Sequence, residues 1–203
     1  MNTVTNILYW ISTGLLIPVI IILLILFVRS LLTIGQFYGS YMSKLKFNKN
    51  FQHLVDEMTK ENVHECLKNF DAKDKNSLGS RYLTKVTNSV ASEAHYDRLL
   101  NEFEIASQKD MAVCQTLAKL GPLVGLMGTL IPMGPALVGL ASGDVASMAS
   151  NMQVAFATTV IGLFVGAVGF IVLQVKRRWF ASDITELEFI CELLKEHHEN
   201  KSL

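Results

Sequence analysis

The polar side chains deep within two otherwise apolar stretches are Thr129, Thr158, Thr159 and, nearer an end, Gln153. A hydroxyl at such a position either bonds back to a carbonyl of its own helix or faces a partner helix or a pore. No ionisable residue accompanies them, because residues 120–143 and 145–175 are uncharged. Proton movement through a membrane ordinarily needs a titratable group. A chain of this kind therefore moves no ions, or takes its carboxylate from another subunit. Other chemistry finds little support. There is no Gly-rich phosphate loop and no Ser/His/Asp arrangement. His197 and His198 read as a solvated pair, and His53, His64 and His95 share no helical spacing. Cys66, Cys114 and Cys191 are odd in number and lack metal-ligand spacing, so they read as small apolar residues in a reducing compartment. Neither an enzyme nor a bound metal or cofactor is expected. The 18 basic and 18 acidic residues balance, giving no ground for nucleic acid as a partner.

Around the hydroxyls run two stripes of small or ring-closed residues. Gly121, Gly125, Gly128, Pro132, Pro135 and Gly139 share one helix face; Ala155, Thr159, Gly162, Gly166 and Gly169 share another. Lipid supplies no hydrophobic drive for helices to associate, so close backbone approach through small residues takes its place. Packing within one chain accounts for part of this pattern. Two such faces exceed what a three-helix bundle requires, and they point to self-association around a central axis. Thr159 lies on its stripe, and Thr129 sits beside Gly128 at the edge of the other. Pro132 and Pro135, with Pro122, predict a locally irregular helix whose freed carbonyls need neighbours, hydroxyls or water.

The elements that hold these residues follow from the charge distribution. Half of the chain is hydrophobic, and residues 1–28 form a third uncharged run. Each run meets the roughly 20 residues that a helix needs to cross a ~30 Å hydrocarbon core. The first has no basic segment before it and no small-residue cleavage site, so it reads as a retained span rather than a signal peptide. Tyr9 and Trp10 suit a headgroup boundary, and Pro18 removes one backbone hydrogen bond from that helix. The basic residues fall on one side: Arg29, Lys44, Lys46 and Lys49 after the first span, and Lys176, Arg177 and Arg178 after the third. The positive-inside rule then puts the N-terminus outside and the central region and C-terminus in the cytoplasm, with Lys176, Arg177 and Arg178 as interface anchors.

The expected organisation is a first segment and span at 1–35, a cytoplasmic helical domain at 36–118, and a second span at 119–143. An outer loop at 144–149, a third span at 150–175 and an amphipathic helix at 176–203 complete it. Within the central domain, Phe47, Phe51, Leu54, Val55 and Met58 recur at helical spacing. Residues 71–80 read as a loop. A helix from about 81 runs without a breaker into the second span. Ile184, Leu187, Ile190, Cys191 and Leu194 share a face of the last helix, and Asp144 reads as a turn or capping residue, with a cation-funnelling role as the alternative. The fold class is all-α: an integral membrane protein with three transmembrane helices and a cytoplasmic helical domain, its long second helix extending into the cytoplasm.

The segments Gly125-Leu126-Met127-Gly128-Thr129 and Ala155-Phe156-Ala157-Thr158-Thr159-Val160-Ile161-Gly162-Leu163 resemble the two signatures of the MotA/TolQ/ExbB proton channel family. The span order and the large segment after the first span resemble its TolQ and ExbB branch. Thr158 in place of a small residue, Val154 in place of a glutamate, and the Pro132 and Pro135 pair depart from that branch. The resemblance implies a homo-oligomer, a pentamer, around a pore occupied by the single helix of an ExbD/TolR-like partner carrying a membrane Asp. It implies that Thr129 and Thr159 line the proton path, in a motor driven across the inner (plasma) membrane. The alternative reading is a structural scaffold oligomer without ion flux.

Overall fold

The structure, a computed structural model, describes residues 2–57, 78–87 and 93–202. These form helices α1 (Asn2–Gly14), α2 (Leu16–Glu57), α3 (Leu78–Thr87), α4 (Glu93–Ala141) and α5 (Val145–Ser202), with no strand among the described residues. Three stretches are long and apolar enough to cross a membrane: Tyr9–Leu45, Ala94–Ala141 and Val145–His197. At 1.5 Å per residue, the 49 residues of α4 extend about 70 Å. That is more than twice a ~30 Å hydrocarbon core, so part of α4 lies outside any bilayer it crosses.

The first apolar run is interrupted where its proline predicts. Pro18 has no N–H to donate to the carbonyl one turn earlier, Gly14 O. The helix breaks there, and Leu15 donates instead to Ile11 O and Ser12 O, both at 3.1 Å. Beyond the break α2 continues well past Arg29, to Glu57. The side chains of Phe47, Phe51, Leu54 and Val55 on this helix, and the stretch from Met58 through residue 77, lie outside the described residues. The expected loop at 71–80 ends earlier than its composition suggested, since Leu78, Gly79 and Ser80 already form the first turn of α3. Whether the helix runs through residues 88–92 also lies outside the described residues.

Two expectations about the apolar helices need correction. α4 persists through Pro122, Pro132 and Pro135 rather than breaking. Each ring removes one N–H from the ladder, and close neighbours on the packed face keep the remaining turns in place. The outer loop is also shorter than 144–149, because α5 begins at Val145. Gly143 adopts a left-handed φ of 75°, Asp144 N–H reaches back to Gly139 O at 2.8 Å, and Gly143 N–H reaches Leu140 O at 3.2 Å. This pair of bonds closes the end of α4. Asp144 then accepts from Ser147 N–H at 3.0 Å and caps α5. Asp144→Ala should lower stability by about 1 kcal/mol, and Asp144→Asn by less. Thermal melts in detergent check this, and equal losses for both would point to a role for charge rather than capping.

The segment at 176–203, expected as a separate amphipathic helix, is continuous with the third span. Neither Gly nor Pro occurs after Gly169 to end it.

The chain forms two compact units: Met1–Ile34 with Val113–Leu173, and Gly35–Ala112 with Gln174–Leu203. In the first, Leu26, Leu117 and Val165 form the buried centre, with Phe27, Val113, Val124 and Ile161 against them. In the second, Tyr82, Leu83, Val86, Tyr96 and Phe103 pack on Leu187, Ile190, Cys191 and Leu194. The face shared by Ile184, Leu187, Ile190, Cys191 and Leu194 is thus a core face. Burial pushes the Cys191 thiol up to about 11, which leaves it unreactive at neutral pH.

Candidate channel helices

Within the first unit the two small-residue stripes meet each other. A Cβ added at Gly162 would lie 2.6 Å from Gly125 Cα and 2.7 Å from Gly121 O. One at Gly169 would lie 2.5 Å from Ala118 N, and one at Gly166 would lie 2.6 Å from a ring carbon of Pro122. One at Gly139 would lie 3.2 Å from Asp144 O. Helices α4 and α5 therefore touch backbone to backbone, a spacing that only glycine permits. Gly121, Gly125, Gly128, Pro132, Gly139, Ala155, Gly162, Gly166 and Gly169 are buried and Pro135 is half-buried. This corrects the inference drawn from the stripes. Packing within one chain occupies both faces, so the stripes themselves give no reason for self-association.

The register of α5 also differs from the expected one. Thr158, not Thr159, completes its buried face: it is 5% exposed, and a Cβ on Gly128 would lie 2.6 Å from Thr158 Cβ and Oγ1. Thr158 donates to Val154 O and Ala155 O at 3.0 and 2.9 Å. Thr159 is half-buried at the margin of the same face and donates to Ala155 O at 3.0 Å. Thr129 is likewise half-buried at the margin of its own face and donates to Leu126 O at 2.7 Å. Both expected pore threonines are thus edge residues whose hydroxyl protons are held by their own helix. Each oxygen keeps acceptor capacity for a group arriving from outside. Gln153 is exposed.

Beyond these margins the exposed faces are largely apolar. Leu126, Met127, Leu130 and Leu137 on α4, and Phe156, Val160 and Leu163 on α5, are exposed. Tilted rings of Phe27 and Phe164, 5.8 Å apart, hold α2 against α5.

A family pattern matches residues 42–188, most of the chain, and it describes the MotA/TolQ/ExbB proton channel family. The chain belongs to that family. It is a membrane protein of a proton channel family, associated with channel and transport work rather than catalysis. No curated protein matches the chain. The match takes in both channel-type spans and much of the second unit, whereas the sequence signatures had covered only the stretch around α4 and α5.

In the second unit this family member carries buried charges that sequence reasoning missed. Lys44 and Asp183 form an ion pair in which both residues are buried. Glu186, one turn after Asp183, has a buried Oε2 without a hydrogen-bond partner among the described residues. Burial holds the carboxyls of both Asp183 and Glu186 above the ordinary carboxylate range; Lys44 opposes the shift at Asp183, and the neighbouring Asp183 adds to it at Glu186. A signal was present, for Asp183 precedes Leu187, Ile190 and Leu194 by four, seven and eleven residues and so shares their stripe. Lys176, expected as an interface anchor, pairs with Asp110 at 2.6 Å, while Arg177 and Arg178 are exposed. No cluster of metal-ligating side chains occurs among the described residues.

Proposed function

We propose that the chain is the channel-forming subunit of a motor complex driven by the proton-motive force, and that several copies surround a pore holding a partner's single helix. One observation carries the reading. The two channel-type spans present hydroxyls at the margins of their packed face, yet residues 120–143 and 145–175 contain no ionisable side chain. The carboxylate that proton transfer requires then comes from an ExbD/TolR-like one-span partner carrying a membrane Asp. Thr129 and Thr159 accept and pass hydrogen bonds near that carboxylate. The exposed apolar faces of α4 and α5 suit contact with lipid and with further copies; five copies follow from the family resemblance.

In this reading the complex sits in the inner (plasma) membrane. The N-terminus lies outside, and the second unit and C-terminus lie in the cytoplasm. Each elementary charge crossing about 100 mV releases about 2.3 kcal/mol, so a working cycle draws on several protons.

The back-bonding of both hydroxyls favours one rival, a scaffold oligomer without ion flux, and a single experiment separates the two. The chain is reconstituted with its one-span partner in vesicles holding a pH-sensitive dye, and a proton gradient is imposed. Thr129→Val with Thr159→Val should reduce proton uptake at least tenfold while assembly by native mass spectrometry stays intact. Serine at both positions should retain most of the flux. Unchanged uptake in the valine pair would remove both hydroxyls from the proton path, and no uptake by the assembled wild type would establish the scaffold instead.

A further inference from the structure

The second unit contains a cavity of about 580 Å³ that the channel reading does not use. Its space arises from the sequence of α2, where Gly39, Ser40 and Ser43 place small side chains along one side. Apart from the neighbouring backbone of its own helix, nothing lies within 4 Å of a Cβ built on Gly39. Trp179 and Phe180 from α5 and Leu78 from α3 supply apolar wall. Trp179 is held in place by stacking on Phe37, with ring centroids 5.5 Å apart and planes 8° from parallel.

The polar lining is unequal in charge. Among the described lining residues, Lys44, Arg81 and Lys176 are cationic, and Asp110 and Asp183 are anionic. The two carboxylates already have partners, Asp183 with Lys44 and Asp110 with Lys176. Arg81 is exposed and makes no ion pair or hydrogen bond among the described residues. Ser43 Oγ is buried and has no partner among them either. A guanidinium fork with five donors thus borders this space, and the surplus charge there is positive. Such a set matches an oxyanion with several terminal oxygens.

The volume lies within the range of pockets that enclose small organic ligands and is far larger than an inorganic anion requires. The aromatic wall gives the organic part a surface. Gln36 and Lys176, which also border the cavity, follow closely in sequence on the first and third apolar runs.

We propose that this cavity binds a phosphate ester, with Arg81 on the phosphate oxygens and the organic group against Trp179. Two sources carry that chemistry, an anionic phospholipid headgroup and a soluble phosphorylated metabolite.

Fluorescence of Trp179 reads the site in full-length protein on a Trp10→Phe background, in dodecyl maltoside and phosphate-free buffer. Glycerol 3-phosphate is titrated in one arm, and short-chain phosphatidylglycerol added to the same micelles in the other. At least one should give a saturable change. Saturation by the lipid alone identifies a headgroup site; saturation by the soluble ester alone identifies a metabolite site; saturation by both shows that the shared phosphate chemistry suffices. Arg81→Ala removes an exposed side chain, and Gly39→Leu fills open space, so both variants keep the fold, as thermal melts would verify. Each should raise the dissociation constant at least tenfold. No saturation in either arm, or unchanged binding by both variants, overturns the proposal.

Discussion

Gly162→Val is expected to yield a protein that fails to hold α4 against α5, seen as a strongly lowered melting temperature or as loss of extractable protein. The reason is that the atoms in the way cannot yield. A Cβ at position 162 would lie 2.6 Å from Gly125 Cα and 2.7 Å from Gly121 O, and both are backbone. One methyl forced into such a contact costs about 1–3 kcal/mol, so Gly162→Ala should already be measurable, and valine adds two further carbons. Separating the helices also forfeits dispersion contacts along the whole stripe, which are the main attraction available between helices in lipid. Gly35→Ala is the control. Its Cβ would meet nothing within 4 Å, so it should be neutral or stabilising by roughly 0.5–1 kcal/mol, as expected for replacing glycine in a helix. A Gly162→Ala protein that melts with the wild type would mean that the two helices are not in backbone contact.

The stripes show where sequence reading succeeds and where it stops. Uncharged runs of more than 20 residues are visible without any structure, since a bilayer admits few alternatives, and all three such runs are largely helical, the first broken at Leu15 and the second ending in the turn after Ala141. The small-residue positions were also legible. Their partners were not, because periodicity says which residues share a face but not what the face meets. Register failed at one point for a geometric reason. Between Ala155 and Gly162 a helix completes about two turns, and the residue midway on that face is 158 or 159. These lie about 40° and 60° to either side of Gly162. Chemistry that favoured the smallest side chains gave no reason to choose Thr158, whereas contact with Gly128 does.

Turns were legible only in part. Pro18 marked the turn at which the first helix breaks, and Asp144 was readable as a turn or capping residue, but the start of α5 directly after it was not. In the second unit the apolar stripe of α5 was visible while its charge was overlooked. Lys44 and Asp183 are 139 residues apart in sequence, and no local pattern links positions so distant. Gly79, read as a loop residue, is buried, and a Cβ there would come 3.1 Å from the Asp183 carboxylate. The tightness of that contact explains why the buried charge sits beside a glycine.

Lys44→Met should be among the most damaging single substitutions in the second unit, and its cost should grow with pH. Asp183 is 5% exposed, so removing the ammonium leaves a carboxylate in a poorly solvated site. Breaking a buried pair from one side costs about 3–5 kcal/mol when the remaining group stays charged. The group has an escape, which is protonation. In the wild type the carboxyls of Asp183 and Glu186 are already raised, chiefly by burial. A carboxyl with a raised folded value holds more protons folded than unfolded. Its contribution to stability is complete below the ordinary carboxylate range and is lost as pH rises through the raised value. Wild-type stability should therefore decline from acid toward neutral pH. Without Lys44 the Asp183 value moves further up, so the decline becomes steeper and extends to higher pH, while near the acid end the variant approaches the wild type. Lys44→Met combined with Asp183→Leu removes both charges and should recover most of the loss, because apolar replacement of a buried pair is often neutral or stabilising. The pH slope that remains then belongs to Glu186, and adding Glu186→Gln should flatten it. Melting curves of the four proteins across that pH range decide the matter: if Lys44→Met runs parallel to the wild type throughout, the pair is solvated and the buried-charge account fails.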